Sequence, residues 1–294
     1  MLYRITHTTK YAYAEPVAVC HNLVRLSPRA TVGQRVRSHR LIVMPEPADL
    51  VQRQDALGNQ VGYFSIEQAH HGLSLSATSE VEVTGQPEAP AGPPWETIRD
   101  ALPKAPGASA VAPYRFAFDS PLVPREAELA AYAAASFTPG RPIIDALRDL
   151  TARIHDEFDY DPRATTVTTP VREAFEGRAG VCQDFAHVAI ACLRSLGLAA
   201  RYVSGYLRTL PPPGKPRLVG ADASHAWLSL YCGPSDTGQP LWVDADPTNN
   251  KLTGVDYVTV ALGRDYADVC PIQGVYVGGG NHTMDVSVDV APVE

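Results

Sequence analysis

The period of the hydrophobic pattern changes along this chain, and that change limits the folds it can adopt. From Leu2 to about Val83, apolar residues alternate with polar neighbours, which is typical of half-buried β-strands. The segment Asp-Ala-Leu-Gly-Asn at 55–59 joins two of these runs, and Gly58 and Asn59 can supply the positive φ angles of a tight hairpin. Residues 1–85 are therefore predicted to form a β-rich N-terminal module.

Prolines separate this module from the rest of the chain. They stand at positions 87, 90, 93, 94, 103, 106, 113, 121 and 124. Neither a helix nor a central strand tolerates this density, because proline lacks the backbone N–H that both structures use. Residues 86–124 are predicted to be a proline-rich linker, with a short helix around Trp95 to Leu102.

Helical spacing of apolar residues begins after the linker. One stripe runs from Pro142 to Phe158 and a second from Phe185 to Leu196. Gly197 is placed to end the second helix in the left-handed conformation. Strand-like segments follow at Ala200–Leu207, His225–Cys232, Leu241–Asp246 and finally Met284–Val290. Residues 125–294 are predicted to be a second domain that ends in a β segment.

Net charge and cysteine spacing argue against several classes of protein. The formal net charge of −7 does not suit a protein that binds nucleic acid. The longest apolar stretch is far shorter than the roughly 20 residues that cross a bilayer, and the N-terminus lacks the pattern of a secretory signal. Five widely spaced cysteines favour reduced thiols and a cytoplasmic location. No metal or other cofactor is predicted, because recognisable ligand spacings are missing.

Cys182 is the cysteine whose position suits chemistry. It falls at the start of the second predicted helix, where unpaired N–H groups and the helix dipole favour a thiolate. Gly180 lets the chain bend into that helix, and backbone N–H groups there could hold an oxyanion. Cys192 and Cys232, in contrast, lie on apolar faces and are predicted to be core residues.

A cysteine nucleophile needs a base, and the base needs a group that orients it. His225 begins a predicted strand whose polar and aromatic residues share one face. If this strand and the next form a simple antiparallel hairpin, position 225 lies opposite 248, and Asp246 is the diagonal neighbour of His225. This register favours Asp246 over Asp244, although a bulge or a two-residue slip would change the order. Asp222 is a third candidate, but its place suits the cap of a turn better.

Three sequence blocks resemble those of the transglutaminase-like superfamily, in the order and spacing of that family. They are Gly180-Val181-Cys182-Gln183-Asp184-Phe185-Ala186, Ser224-His225-Ala226-Trp227, and Trp242-Val243-Asp244-Ala245-Asp246-Pro247-Thr248-Asn249. The β-rich segment before them also resembles the module that precedes this domain in bacterial members. The resemblance implies an α+β fold with a papain-like core, in which the helix that carries the nucleophile packs on an antiparallel sheet.

The resemblance also implies a reaction and a substrate class. Cys182, His225 and Asp246 match the triad of a cysteine-dependent enzyme that transfers or hydrolyses amide acyl groups through a thioester, with a peptide or protein as substrate. Hydrolysis is favoured over cross-linking, because no calcium loop is apparent. Two alternatives stay open. One is acyl transfer like that of arylamine acetyltransferases, and the other is a binding module with an idle triad.

Further residues near the predicted triad are candidates for contact with substrate or for structural roles. Gln183, Trp227 and Tyr160 are predicted to line the substrate cleft. Asp184 is predicted to cap the helix N-terminus, and His187 to have a structural role.

Overall fold

The computed structural model describes residues 1–86, 91–104, 112–209 and 223–293. The strands are β1 Leu2–Val24, β2 Gln34–Met44, β3 Asp49–Gln54, β4 Gln60–Ile66, β5 His70–Val83, β6 Asp159–Tyr160, β7 Ala179–Gly180, β8 Ala200–Leu207, β9 Ala223–Pro234, β10 Pro240–Asp246, β11 Lys251–Leu252, β12 Tyr257–Gly263, β13 Ile272–Gly278 and β14 His282–Pro292. The helices that matter for the site are α1 Trp95–Ala101, α2 Ala127–Ala134, α3 Ile143–Glu157, α4 Val171–Gly177, α5 Cys182–Ser195 and α6 Tyr266–Val269. The predicted α+β class is confirmed.

The first sheet is built around β1, with the strand order β2-β5-β1-β4-β3. The predicted hairpin at 55–59 is present, and Gly58 has the predicted positive φ, at 78°, whereas Asn59 does not adopt a positive φ. The Asp55 carboxylate closes this turn by accepting from the backbone N–H groups of Leu57 and Asn59. The last two strands, β13 and β14, also pair antiparallel with β1. The first strand and the last two strands therefore belong to one sheet. The division into residues 1–85, 86–124 and 125–294 stays a prediction.

The second sheet has the order β11-β10-β9-β8-β12 and carries the helices. The two predicted helical stripes are confirmed as α3 and α5. Gly197 follows α5 with a φ of 83°, as its predicted role requires. Ile5 of β1 and Val290 of β14 belong to the same apolar core as α5 and β9. One core therefore stabilises both sheets, and the papain-like arrangement of a helix on an antiparallel sheet is confirmed.

The described parts of the proline-rich segment pack on the second sheet and its helices. The predicted short helix is α1, and the Trp95 indole N–H donates to the Thr138 carbonyl at 3.0 Å. Ile98 and Phe116 of this segment are buried. Positions 87–90 and 105–111 of the predicted linker lie outside the described residues. Within the described ranges, no helix combines the length and apolar character needed to cross a bilayer.

Two buried side-chain amides join the first sheet to the backbone of β12. Gln34 donates to the Thr259 carbonyl at 2.7 Å and accepts from the Thr259 N–H at 2.8 Å. Asn59 makes the same pair of bonds to Leu262, both at 2.8 Å. Each side-chain amide thus pairs with the backbone N–H and the backbone carbonyl of one residue of β12, as the backbone of a neighbouring strand would. These bonds fix β12 against the N-terminal sheet.

Replacing Asn59 with alanine should destabilise the protein by about 3 kcal/mol, because it leaves a buried N–H and a buried carbonyl of Leu262 unpaired at about 1–3 kcal/mol each. The free energy of unfolding in urea measures this loss. The matched control is Asn281→Ala, because Asn281 is exposed between β13 and β14; it should change stability by less than about 0.5 kcal/mol. Equal effects of the two substitutions would contradict the docking role of Asn59.

Candidate active site

Cys182 is the first residue of α5, as predicted. The carboxylate of Asp184 accepts from the Val181 N–H at 2.8 Å and from the Thr165 hydroxyl at 2.6 Å, which confirms its predicted capping role. A side chain at Gly180 would place its Cβ 2.8 Å from the Cβ of Asp184. Glycine is therefore needed where the chain enters the helix, and the thiol is held on a first turn whose N–H groups lack intrahelical acceptors.

His225 and Asp246 meet across the hairpin of β9 and β10. The observed pairing of Asp244 with Ser229 is the register predicted from the sequence. The ladder ends at the pair of Ala245 with Leu228, and position 248 lies in the turn after β10 instead of opposite 225. The Nε2 atom of His225 lies 2.8 Å from Oδ2 of Asp246. The side-chain nitrogen of Asn249 also lies 3.4 Å from Nε2, and the Cys182 thiol, which lines the same cavity as His225, interacts with the ring as well. Because Nε2 is occupied by Asp246, the other ring nitrogen, Nδ1, is left for the thiol.

Asp246 is fully buried and receives hydrogen bonds on both carboxylate oxygens. Oδ2 accepts from the Tyr257 hydroxyl at 2.6 Å and from the Asn249 side-chain amide at 2.7 Å. Oδ1 accepts from the Thr248 N–H at 2.9 Å. These donors hold the carboxylate in place and favour its charged form. It can therefore orient the imidazole without moving.

Sequence reasoning did not assign Tyr257 or Asn249 to the site. Asn249 stands three residues after Asp246 in the third motif block, a spacing that suits a side chain folding back on a turn. Tyr257 has no such local signal, because it lies on β12 at the far end of the strand order. Its hydroxyl nevertheless reaches Asp246 at 2.6 Å, since the sheet curls.

These contacts determine the charges of His225 and Asp246. Burial lowers the pKa of His225, but its hydrogen bonds with Asp246 and Cys182 outweigh burial and raise the pKa to about 9. Burial raises the pKa of Asp246, but the bonds with His225, Tyr257 and Asn249 outweigh it and leave the pKa below its ordinary value. At neutral pH the pair is therefore an imidazolium and a carboxylate, and the imidazolium faces the thiol.

A cavity of about 320 Å³ opens beside Cys182 and His225. One side of it is formed by residues of α5 and the second sheet, including Gln183 and Tyr202. The other side comes from the first sheet, through His7, Thr9, Tyr11, Met284 and Val286. The site thus lies between the two sheets, and the N-terminal module supplies part of its wall.

The three residues predicted to line the substrate cleft have different environments. Gln183 lines the cavity, and its amide donates to the Val167 carbonyl at 3.1 Å. Trp227 is fully buried and is not among the residues that line this cavity, because its indole N–H turns to Asp244 at 3.1 Å. Tyr160 is 58% exposed and its ring meets Phe185 edge to face, outside the cavity lining. Contact of these residues with substrate stays a prediction.

The remaining predicted structural residues are buried. The His187 ring accepts from the Tyr266 N–H at 3.1 Å, and burial lowers its pKa to about 4, so the ring is neutral. Cys192 and Cys232 are buried in the core, as predicted, and burial raises the pKa of each thiol to about 12. Neither thiol has the environment of a nucleophile.

Comparison with known proteins gives matches in both parts of the chain. Residues 3–82 match the bacterial transglutaminase-like N-terminal region, and residues 130–247 match the transglutaminase-like superfamily. An uncharacterised protein of Mycobacterium tuberculosis is 45% identical over 300 residues, covering 99% of this chain and 93% of that protein. An uncharacterised protein of Mycobacterium leprae is 30% identical over 290 residues, covering 98% and 97%.

A solved structure shares the whole architecture. The crystal structure of a candidate cysteine protease from Cytophaga hutchinsonii covers 100% of this chain, and the match covers 92% of that protein, with a TM-score of 0.74 at 22% sequence identity. At that identity the likeness shows the fold. Together with the matches in sequence, it shows that the chain belongs to the transglutaminase-like superfamily, in the form that carries the bacterial N-terminal region.

Proposed function

We propose that this protein is a cysteine-dependent enzyme that transfers or hydrolyses amide acyl groups, with Cys182, His225 and Asp246 as its triad. The observation that carries the proposal is the position of the His225 ring. Its Nε2 lies 2.8 Å from the buried carboxylate of Asp246, and the Cys182 thiol at the start of α5 lines the same cavity as this ring. This arrangement supports a triad in which the carboxylate orients the imidazole and the imidazole serves the thiol as base, as nucleophilic catalysis requires.

The proposed reaction starts from an ion pair of the Cys182 thiolate and the His225 imidazolium, which already holds the proton of the thiol. The thiolate attacks the carbonyl carbon of an amide, and backbone N–H groups at the start of α5 stabilise the oxyanion. The C–N bond then breaks, the imidazolium gives its proton to the leaving amine, and a thioester remains on Cys182. Water or a second amine attacks the thioester, His225 takes the proton of that nucleophile, and the thiol is released. We favour water as the acceptor and a peptide or protein amide as the substrate.

The test is selective alkylation of Cys182. We expect iodoacetamide at pH 6 to modify Cys182 at least ten times faster than Cys20 or Cys270, as read by mass mapping, because only the thiolate reacts. Cys270 is a strict internal control, since it lines the same cavity. If Cys182 reacts no faster than these two, the triad is not functional. Ammonia release from glutamine peptides, with and without added amine, then separates hydrolysis from cross-linking.

We also propose that the protein is located in the cytoplasm. The support is the odd number of widely spaced cysteines, which suits reduced thiols. Fractionation of cells that express the protein tests this assignment.

A further inference from the structure

The first sheet forms one wall of the cavity. The residues of this wall come from β1 and β14, and they are directly paired across the two strands. Thr9 of β1 pairs with Val286 of β14, and Tyr11 pairs with Met284. Directly opposite residues of an antiparallel pair share a face, and all four of these residues line the cavity. Met284 is 59% exposed and Val286 is 46% exposed. A solvent-accessible, largely apolar surface therefore faces the nucleophile.

The part of the chain that the structure describes brings no formal charge to this cavity outside the triad. Among the described residues that line it, none is Asp, Glu, Lys or Arg. His7 is the other imidazole in the lining, and burial lowers its pKa to about 4, so it is neutral at physiological pH. Both of its ring nitrogens have partners, the Tyr206 hydroxyl at 2.9 Å and the Thr9 hydroxyl at 3.1 Å. A charged group of a substrate would find no opposite charge in this wall.

We propose that the wall formed by Thr9, Tyr11, Met284 and Val286 selects an acyl donor whose side group next to the scissile amide is apolar and uncharged. The inference rests on the proposed function, because it assigns the cavity to the acyl group that becomes attached to Cys182. A leucine or phenylalanine side chain gains contact with Met284 and Val286 and loses no hydration of a charge. A glutamate or lysine side chain loses hydration of its charge without a partner in return.

Peptidyl chloromethyl ketones test this selection without knowledge of the natural substrate. The Cys182 sulfur displaces chloride from the probe, so that one S–C bond forms and one C–Cl bond breaks. Four probes should differ only in the residue that carries the ketone, which is leucine, phenylalanine, glutamate or lysine. The second-order rate constant for alkylation of Cys182 is measured by intact mass. We expect the leucine and phenylalanine probes to react at least about ten times faster than the other two, the lower end of what pocket contacts discriminate.

A charge placed in the wall should change this preference. In Val286→Lys, the glutamate probe should gain at least about tenfold relative to the leucine probe, because the carboxylate now has a partner. The matched control is Ile42→Lys, since Ile42 is a β-branched residue on β2 with 44% exposure, close to the 46% of Val286, and it does not line the cavity. The control should retain the wild-type order of probes.

The outcomes separate the inference from the proposed function. Iodoacetamide, which has no such side group, reports on the nucleophile alone. If Cys182 reacts selectively with iodoacetamide while the four probes react at equal rates, the selection is wrong and the proposed function stands. If the probes are discriminated equally in Val286→Lys and wild type, this wall is not the selecting surface. Loss of selective iodoacetamide labelling in the wild-type protein would overturn the proposed function itself.

Discussion

Replacing His225 with glutamine should lower the rate of Cys182 alkylation by iodoacetamide at pH 6 by about 100-fold. The physical reason is the loss of the imidazolium that faces the thiol. A cysteine with no cationic partner has a pKa of about 8.5, so only about 0.3% of it is thiolate at pH 6. Glutamine approximates the size of the ring but carries no charge. The measurement is the rate of modification of Cys182 from pH 5 to pH 10.

The control for this substitution is His71→Gln, because His71 is exposed on β5 in the first sheet. It should leave the rate and its pH profile unchanged. Wild-type protein should keep a high rate at low pH, whereas the rate of His225→Gln should rise steeply between pH 7 and pH 9. If both proteins give the same profile, His225 does not activate the thiol.

The raised pKa of His225 also predicts a pH dependence of stability. Because the pKa is raised from 6.5 to about 9 in the folded protein, the stability that it contributes is fully present below pH 6.5. This stability is lost as the pH rises through about 9. Urea unfolding should show a larger loss of stability between pH 6 and pH 9.5 for wild type than for His225→Gln. A difference of the opposite sign would contradict the assignment of the proton.

Local pairing explains why much of the triad geometry could be predicted from the sequence. His225 and Asp246 lie on consecutive strands, and alternation along each strand fixes which residues share a face. The position of Cys182 at a helix start could be predicted because a helix start has its own sequence signals. Here they are a glycine before the thiol and an aspartate, Asp184, three residues after the N-cap residue Val181. These features depend on residues that are close in sequence.

The rest of the site depends on contacts between distant parts of the chain. Thr9 and Val286 form one wall because β14 pairs with β1, and no local pattern states which strands of different regions will pair. Tyr257 reaches Asp246 because the second sheet curls. The alternation of side chains along β9 places Trp227 on the same face of the strand as His225. It does not reveal that the indole N–H donates to Asp244 and that the ring lies outside the cavity lining. Tertiary packing decides these positions.

Asp246→Asn and Asp244→Asn form the sharpest comparison for the third member of the triad. Both residues lie on β10, two positions apart, and both carboxylates accept a hydrogen bond from an aromatic ring of β9. We expect Asp246→Asn to slow alkylation of Cys182 at pH 7 by about 10- to 100-fold, because His225 loses the carboxylate that stabilises its charge. Asp244→Asn should change this rate by less than about twofold, since an amide oxygen can still accept from Trp227.

The tautomer of His225 gives the same substitution a second, larger effect on turnover. The Asp246 carboxylate can only accept from Nε2, which leaves Nδ1 free to receive the proton of the thiol. An asparagine amide that donates to Nε2 forces the proton onto Nδ1, where it blocks that transfer. In serine proteases the corresponding change costs about 10⁴-fold in turnover for this reason. Turnover of a peptide amide by Asp246→Asn should therefore fall by more than the alkylation rate falls.

Stability provides the independent readout that separates positioning from simple packing. Asp246→Ala leaves the buried hydroxyl of Tyr257 and the amide of Asn249 without their acceptor, and it leaves the buried His225 without its counter-charge. Removing one partner of such a buried pair costs about 3–5 kcal/mol. Asp246→Asn keeps the volume and one acceptor, so it should unfold at a urea concentration between those of Asp246→Ala and wild type. If Asp246→Asn were as reactive as wild type, Asp246 would serve the fold alone, and the triad would reduce to a cysteine and a histidine.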